Sequence, residues 1–428
     1  MLYLKRIFCV SLFFLLLACS RSQSTSSDGA NTGRDSEQKP DKETLAPWQE
    51  GYLDIHAINT GRGECTLFIF PDGTTMMVDA AGSLISPDAE IPPPPQKPNS
   101  NISPGKAIAN YVKHFIKPAS NKLNYIMLSH FDPDHMGTYS TNLPLHSSGS
   151  FRMGGVTEVG AAVPFEKIID RGYPNYDFPS NLKTGSGIID NYVNFIDWAK
   201  TSYQASAEQF AVGRNDQIVL KQNPSAYSHF EVRNLVANGV VWNGTGTGVT
   251  NTLPPADELI AAGTKENVYS VGFQVAYGKF NYFSGGDLQY NGRSTYPFQD
   301  IEAPVANIVS AVDVMKANHH GTANCNSEAL LNKLVPQAVV IHTWRDVQPN
   351  PATLARMYAV NSNCQVFTTN MTEANKPRLG ENLAKIKSLQ GHVVVRVKPG
   401  GDSYSIYVLD DNNQDYNVTK TFGPYQSK

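Results

Sequence analysis

The sequence predicts an α/β fold made of two β-rich halves, because strand and helix patterns alternate in each half. The chain first shows three β-rich runs, at 53–58, 66–70 and 75–79, with a Pro-Asp-Gly turn before the third run. Apolar residues then recur at helical spacing over 106–117, and a short apolar strand follows at 125–128. Strand, helix and strand in this order is typical of a parallel βαβ unit.

The second half repeats this alternation after a weakly patterned stretch. The stretch 138–265 is rich in Gly, Asn, Pro and Thr, and we expect it to be an insertion. Beyond it, the predicted elements are strands at 271–277, 280–283 and 312–317, a helix at 327–334, a strand at 338–341, a helix at 351–360 and a strand at 365–369. Runs at 392–397 and 404–409 flank a Pro-Gly-Gly turn and predict a terminal hairpin.

The N-terminus carries a targeting signal. Basic Lys5 and Arg6 precede a twelve-residue apolar run at 7–18 that is too short to span a bilayer. The run ends in Leu16-Leu17-Ala18-Cys19, which resembles the lipobox of bacterial lipoproteins and implies lipid attachment to Cys19. We therefore expect a signal peptide at 1–18 and a protein that is lipid-anchored in the bacterial cell envelope, outside the cytoplasm.

Composition divides the remaining chain. Residues 19–46 are polar and nearly free of large apolar side chains, which predicts a disordered tether before a folded domain at 47–428. The formal charge of −3 lacks the basic footprint of a dedicated nucleic-acid binder, so we expect no strong duplex binding. Three cysteines remain in the domain; buried free thiols are expected, with a Cys325–Cys364 bridge as the alternative.

One short loop concentrates groups that bind metals. The segment 130–135 places His130, Asp132, Asp134 and His135 directly after a predicted strand. Their spacing around a turn allows a single loop to present ligands to two ions a few ångströms apart. Imidazole and carboxylate are the ligands that zinc and related metals take in proteins.

Further polar groups follow other predicted strands. Asp79 ends the first hairpin, Asp287 follows the second, and His319 and His320 come after a third strand. Active sites of layered α/β folds collect at such strand ends. We therefore expect these groups to meet the 130–135 loop in one site.

These residues resemble the metallo-β-lactamase superfamily. The segment 130–135 is similar to its HxHxDH signature, with Asp132 in place of the second histidine. Segments 59–64, 282–287 and 316–321 resemble the ComEC-type branch, which includes the hydrolase domain of the competence protein ComEC. The resemblance covers about half of the chain and implies an α/β fold in the form of a four-layer αββα sandwich.

The resemblance also implies a role for each site residue. The implied metal ligands are His130 and Asp132 for the first ion, Asp134, His135 and His320 for the second, and Asp287 between the two. His319 would orient a ligand or contact substrate, and Asp79 would fix the loop from outside the ligand shell. The family supplies one more ligand to the first ion, for which we expect Asp170, with His146 and His229 as alternatives.

The predicted function is hydrolysis by water that two divalent metal ions activate. Asp134 is the predicted catalytic residue, because it can bind an ion and also accept a proton from the attacking water. We expect zinc, with manganese or iron as alternatives because Asp132 is a harder ligand than histidine. The ComEC-type resemblance implies a phosphodiester substrate. The alternatives are a periplasmic ester, amide or lactone hydrolase and a membrane-tethered binding protein with a degenerate metal site.

Overall fold

A computed structural model of the chain describes residues 43–82, 94–185, 187–290 and 296–428. The predicted signal peptide, Cys19 and most of the predicted tether lie outside these ranges. None of the helices in the described ranges combines the length and apolar character needed to cross a membrane.

Strands of the described residues form two nine-stranded sheets, and the chain visits the first sheet twice. The first sheet opens with β1 Leu53–Ala57, β2 Thr66–Ile69, β3 Thr75–Val78, β4 Leu123–Met127, β5 Phe165–Asp170 and β6 Ser206–Gln209. The second sheet contains β7 Phe230–Ala237, β8 Val240–Trp242, β9 Val249–Asn251, β10 Gly272–Tyr277, β11 Phe280–Ser284, β12 Val314–Lys316, β13 Ala338–Ile341, β14 Gln365–Thr368 and β15 Ile386–Ser388. The first sheet is completed by β16 His392–Val397, β17 Ser403–Leu409 and β18 Val418–Gln426.

Each sheet joins an antiparallel half to a parallel half. The first sheet has the order β18-β17-β16-β1-β2-β3-β4-β5-β6, and its strands are parallel from β3 to β6. The second has the order β15-β14-β13-β12-β11-β10-β7-β8-β9 and is parallel from β11 to β15. The two parallel halves therefore each have a row of carboxyl strand ends, where loops carry functional groups.

Helices cover the outer face of each sheet. The α-helices of the described residues are α1 Pro104–Ile116, α2 Pro133–Met136, α3 Val156–Ala162, α4 Ile188–Ser202, α5 Ala256–Ala261, α6 Glu302–Ala306, α7 Glu328–Leu334 and α8 Pro351–Val360. Apolar residues of α1, α3 and α4 pack on the first sheet, those of α6, α7 and α8 pack on the second, and a third core fills the space between the sheets. This arrangement confirms the predicted αββα sandwich.

The stretch 138–265 is built into the sandwich rather than set apart from it. It supplies β5 and β6 to the first sheet and β7, β8 and β9 to the second. The sequence pattern missed most of these strands because they are short and lie near sheet edges, where polar and exposed residues interrupt the alternation. The predicted insertion is therefore part of the same structural domain.

The folded domain also begins earlier than the predicted residue 47. Thr44 forms a β-bridge with Asn417, and the Arg396 guanidinium donates to the Ala46 carbonyl oxygen at 2.7 Å. These are backbone contacts, which side-chain composition does not reveal. The three cysteines of the domain are buried free thiols, as expected.

A buried ion pair joins β1 to β16. Two nitrogens of Arg396 donate to the two carboxylate oxygens of Asp54 at 2.8 and 2.6 Å, and both residues are buried. Burial alone would raise the pKa of Asp54, but hydrogen bonds and charge from Arg396 and His56 hold it below its usual value. The pair therefore stabilises the fold above the unfolded-state pKa of about 3.9, and this stabilisation is lost as the pH falls below that value.

We predict that Arg396→Met lowers the free energy of unfolding by about 3–5 kcal/mol, because Asp54 is left as an unpaired buried charge. Urea denaturation at pH 7 measures this loss. The control is Lys279→Met, which breaks an exposed pair with Asp402 and should cost less than about 1 kcal/mol. Equal losses for the two variants would contradict the assignment.

Candidate metal centre

The parallel strand ends of both sheets bring the sequence-predicted groups together. Asp79 follows β3 and His130 opens the loop after β4, while Asp287 follows β11 and the His319-His320 pair follows β12. Their side chains approach one another across the two sheets, with separations below 4 Å. One cluster therefore forms from residues up to 241 positions apart, counted from 79 to 320.

Four side chains surround one position in this cluster. His320 Nε2 lies 3.1 Å from Asp134 Oδ2 and 3.5 Å from Asp287 Oδ2. His135 Nε2 lies 3.3 Å from Asp287 Oδ1 and 3.2 Å from His320 Nε2. Ligands that bind one ion at about 2.0–2.2 Å lie roughly 3–4 Å from one another. Asp134, His135, Asp287 and His320 are therefore spaced as ligands of a single metal ion.

Hydrogen bonds on the far side of each ring set the orientation of these imidazoles. His135 Nδ1 lies 2.8 Å from Asp79 Oδ2, and His320 Nδ1 lies 2.8 Å from the His342 carbonyl oxygen. Both partners are acceptors, so each Nδ1 carries a proton and each Nε2 points inward, where it can bind a metal when it is deprotonated. Two ring nitrogens that face each other at 3.2 Å need a proton or a metal cation between them.

Asp287 also faces another group of side chains, which is the position that the resemblance assigns to the first ion; the site formed by Asp134, His135, Asp287 and His320 is the second position. His130 Nε2 is 3.6 Å from Asp132 Oδ2 and 3.9 Å from Asp287 Oδ2, and it has no hydrogen-bond partner among the described residues. The Ser129 hydroxyl donates to Asp79, so it accepts from His130 Nδ1 at 3.0 Å. His130 thus also turns a free Nε2 lone pair towards Asp287.

The prediction of Asp170 as a further ligand is wrong. Its two oxygens accept hydrogen bonds from four donors, which are Gly172 N, Tyr173 N, the Tyr176 hydroxyl and the Tyr192 hydroxyl. A carboxylate has about four lone-pair sites, so none remains for a metal. Burial raises the pKa of Asp170 despite these bonds. The apolar run before Asp170 could not reveal the two tyrosines, which arrive from later in the chain.

The alternatives to Asp170 are also not in the cluster. The His146 ring stacks on Phe151 with ring centroids 4.6 Å apart, and its Nδ1 lies 2.9 Å from the Ser148 hydroxyl. His229 is exposed, and its carbonyl oxygen accepts from the backbone of Gly278. Neither histidine is among the groups that the strand ends bring together.

A buried ion pair beneath the cluster was not predicted. Lys316 Nζ lies 2.8 Å from Glu64 Oε2 and 3.8 Å from Asp287 Oδ1, and the side chains of Lys316 and Glu64 are each only 1% exposed. Burial opposes the charge of Lys316, but the neighbouring carboxylates raise its pKa above the usual value. Glu64 also lies within 4.8 Å of the ligand atoms of His135, Asp287 and His320. The only signal for it in the sequence was its place in the segment 59–64.

The cluster carries an excess of negative charge. Lys316 offsets Glu64, so the carboxylates of Asp79, Asp132, Asp134 and Asp287 carry up to four negative charges, which the histidines offset only when they are protonated. Asp79 and Asp287 are buried, and a buried charge is costly without compensation, so the donor set fits cation binding.

The pKa values follow the same electrostatics. Burial opposes protonation of His135 and His320, but the surrounding carboxylates raise the pKa of both above the usual value. Burial likewise disfavours ionised Asp134 and Asp287, yet the imidazoles hold the pKa of each below its usual value. The lone pairs that bind protons here are those a metal would take, so metal binding releases protons.

An unusual backbone turn presents the two later histidines. His319 has φ 43° and ψ 48°, and His320 has φ 53° and ψ 21°, so two consecutive non-glycine residues are left-handed. Each such residue costs about 1–3 kcal/mol, and the surrounding structure must hold it. Asn318 and Asn326 do so by mutual hydrogen bonds, and both are tied to the buried carboxylate of Glu302.

The segment 266–271, which we call the strap, binds the loop that begins the cluster. Glu266 Oε1 accepts from the Phe131 backbone nitrogen at 2.9 Å. At the other end of the strap, the Val271 backbone nitrogen donates to the Ser129 carbonyl oxygen at 2.8 Å. The strap therefore fixes the backbone on both sides of His130.

The strap also contacts the other two ligand loops. Asn267 Nδ2 lies 3.0 Å from His319 Nε2, and the Ser270 hydroxyl accepts from the Asp287 backbone nitrogen at 3.1 Å. Buried Arg171 in turn binds Glu266 through two nitrogens, each at 2.6 Å. One short segment thus connects all three loops, although no motif marks it in the sequence.

Comparison with known proteins adds little to this description. No protein-family model matches the chain. No characterised protein sequence matches it. Among solved structures, one match is the crystal structure of isothiocyanate hydrolase from Delia radicum gut bacteria, at 10% identity and a TM-score of 0.33, covering 78% of this chain and 95% of that chain. The chemistry of the site therefore rests on the residues of this chain.

We predict that Gly63→Ala weakens metal binding by about 10–100-fold, the range seen for changes just outside a ligand shell. Gly63 has φ 125°, and a Cβ there would overlap the carbonyl oxygen of Asp134. Zinc titration of the metal-free protein measures the change. The control, Gly400→Ala, has the same kind of backbone strain (φ 85°) but no atom within 4 Å of the new Cβ, and it should bind zinc like wild type. Wild-type affinity in Gly63→Ala would contradict the geometry.

Proposed function

We propose that this protein is a metal-dependent hydrolase with a dinuclear centre. The observation that carries the proposal is the pair of buried imidazoles, His135 and His320, whose Nε2 atoms face each other at 3.2 Å while each Nδ1 is held by an acceptor. The fold places this arrangement beside three carboxylates, so the site can bind a cation. The alternative of a degenerate metal site is disfavoured because all of these ligands are present.

Divalent ions bound here would supply an activated water nucleophile and would polarise the scissile group of the substrate. The protein itself orients the ligands through Asp79, Ser129 and the His342 carbonyl. Asp134 is placed as a ligand and is also accessible to solvent, since its side chain is 18% exposed. It can therefore take up a proton from the attacking water at a carboxylate oxygen.

We propose a phosphodiester, in nucleic acid or a smaller nucleotide, as the substrate class. Two cations side by side suit a displacement in which the attacking and leaving oxygens both carry negative charge. The resemblance of segments 59–64, 282–287 and 316–321 to the ComEC-type branch favours the same substrate, while the net charge of −3 speaks against tight duplex binding. An ester, amide or lactone remains the second candidate, because the same centre can polarise a carbonyl oxygen.

We propose zinc as the metal, with manganese or iron as alternatives. The second position, with two imidazoles and two carboxylates, suits zinc. Asp132 gives the first position a harder oxygen ligand and moves its preference towards manganese or iron.

We predict that Asp134→Asn loses most turnover, by about 10²-fold or more, because the substitution removes a metal-binding charge and the proton acceptor. The measurements are metal content and hydrolysis of bis-(p-nitrophenyl) phosphate, with p-nitrophenyl acetate separating diester from ester cleavage. Asp197→Asn is the control, since Asp197 is an exposed residue of α4 that pairs with Lys200. Equal rates and equal metal content in Asp134→Asn and wild type would show that this loop is not an active site.

We also propose that the protein is held at a membrane by lipid on Cys19, so that the enzyme acts outside the cytoplasm. The apolar run at 7–18 and the Leu16-Leu17-Ala18-Cys19 sequence support this proposal. The length of the polar tether that follows would give an end-to-end distance of roughly 30 Å.

We predict that Cys19→Ala moves the protein from the membrane to the soluble exported fraction and abolishes labelling by a fatty-acid probe. The matched control is Cys9→Ala, which removes a cysteine inside the apolar run and should leave the membrane fraction unchanged. Membrane association that persists in Cys19→Ala would contradict lipid anchoring.

A further inference from the structure

We infer that His319 is the ligand that completes the first metal position, and this inference rests on the proposed function. The resemblance leads one to expect that ligand between the 130–135 loop and Asp287. Asp170, His146 and His229 are the groups of that interval considered above, and each is engaged or exposed elsewhere. The first position would otherwise hold only His130, Asp132 and Asp287.

The distances place His319 and His130 around the same oxygen of Asp287. His319 Nε2 lies 3.8 Å from Asp287 Oδ2, and His130 Nε2 lies 3.9 Å from it. His320 Nε2 also lies 3.5 Å from this oxygen, but it lies 3.1 Å from Asp134 Oδ2 and 3.2 Å from His135 Nε2 and so belongs to the other position. Asp132 Oδ2 lies 3.6 Å from His130 Nε2. These separations fall within the roughly 3–4 Å expected between ligands of one ion. The same Asp287 carboxylate also contacts His135 and His320, so it lies between the two positions.

The contact with Asn267 orients the His319 ring. Asn267 Nδ2 lies 3.0 Å from His319 Nε2 and 3.4 Å from Nδ1. An amide that donates to Nε2 marks a ring nitrogen whose lone pair is available. A metal ion bound by Nε2 would take the place of this neutral donor.

The backbone of the turn directs the two neighbouring histidines to different metal positions. Both residues are left-handed, and this conformation turns both rings towards Asp287. The first position is the more open one, because the side chains of Asp132 and His319 are 40% and 25% exposed while that of His320 is 1% exposed. An ion at the first position would therefore exchange with solvent, and an ion at the second would be enclosed.

The test counts and titrates metal in variants of the full-length protein. His319→Asn is the variant of choice, because asparagine tolerates a left-handed backbone and removes the imidazole. Zinc and manganese are each titrated into the metal-free protein, metal per chain is measured after dialysis, and circular dichroism checks the fold. His146→Asn controls for the loss of a histidine outside the cluster, and His320→Asn targets the enclosed position.

We expect wild type and His146→Asn to bind two ions per chain. His319→Asn should keep one ion and bind the other more than about 100-fold more weakly, since outer-shell changes alone cost 10–100-fold. If wild type binds two ions and His319→Asn binds both with unchanged affinity while KM rises, His319 is a substrate contact and the inference is overturned while the proposed function stands. If wild type binds no metal, the proposed function fails and the inference fails with it.

Discussion

The rest of the site depends on the Asp287 carboxylate, because four imidazoles turn their Nε2 atoms towards it. These atoms lie between 3.3 and 3.9 Å from its oxygens, and they belong to His130, His135, His319 and His320. Burial would raise the pKa of Asp287, but the imidazoles hold it well below its usual value. A buried carboxylate needs compensating charge, which protonated imidazoles or a bound metal cation can supply, and this requirement defines the chemistry of the cluster.

The two sheets are what allow these groups to meet. Asp79 and His130 come from the parallel half of the first sheet, while Asp287 and the His319-His320 turn come from the parallel half of the second. Hydrogen bonds from the strap and the Glu64–Lys316 pair then link loops that arrive from different sheets. The strained turn at His319-His320 persists because this surrounding network fixes it.

Local patterns were sufficient to predict much of this arrangement. The alternation of strands and helices predicted the α/β class, the family resemblance implied the sandwich, and strand-end positions brought Asp79, His130 and Asp287 into one expected site. The prediction failed where long-range packing decides the outcome: the two tyrosines that occupy Asp170, the pairing of Glu64 with Lys316, and the short polar strands within 138–265. None of these contacts has a periodic signature, because each depends on which strands become neighbours. The β-bridge between Thr44 and Asn417 was missed for the same reason.

The most direct test of the account is anomalous X-ray diffraction from crystals of the protein grown with zinc or manganese. The account predicts two anomalous peaks about 3.5–4 Å apart, one on each side of the Asp287 carboxylate. One peak should lie between His135 and His320 and the other next to His130. The absence of any peak at this cluster from fully loaded, catalytically assayed protein would contradict the dinuclear centre.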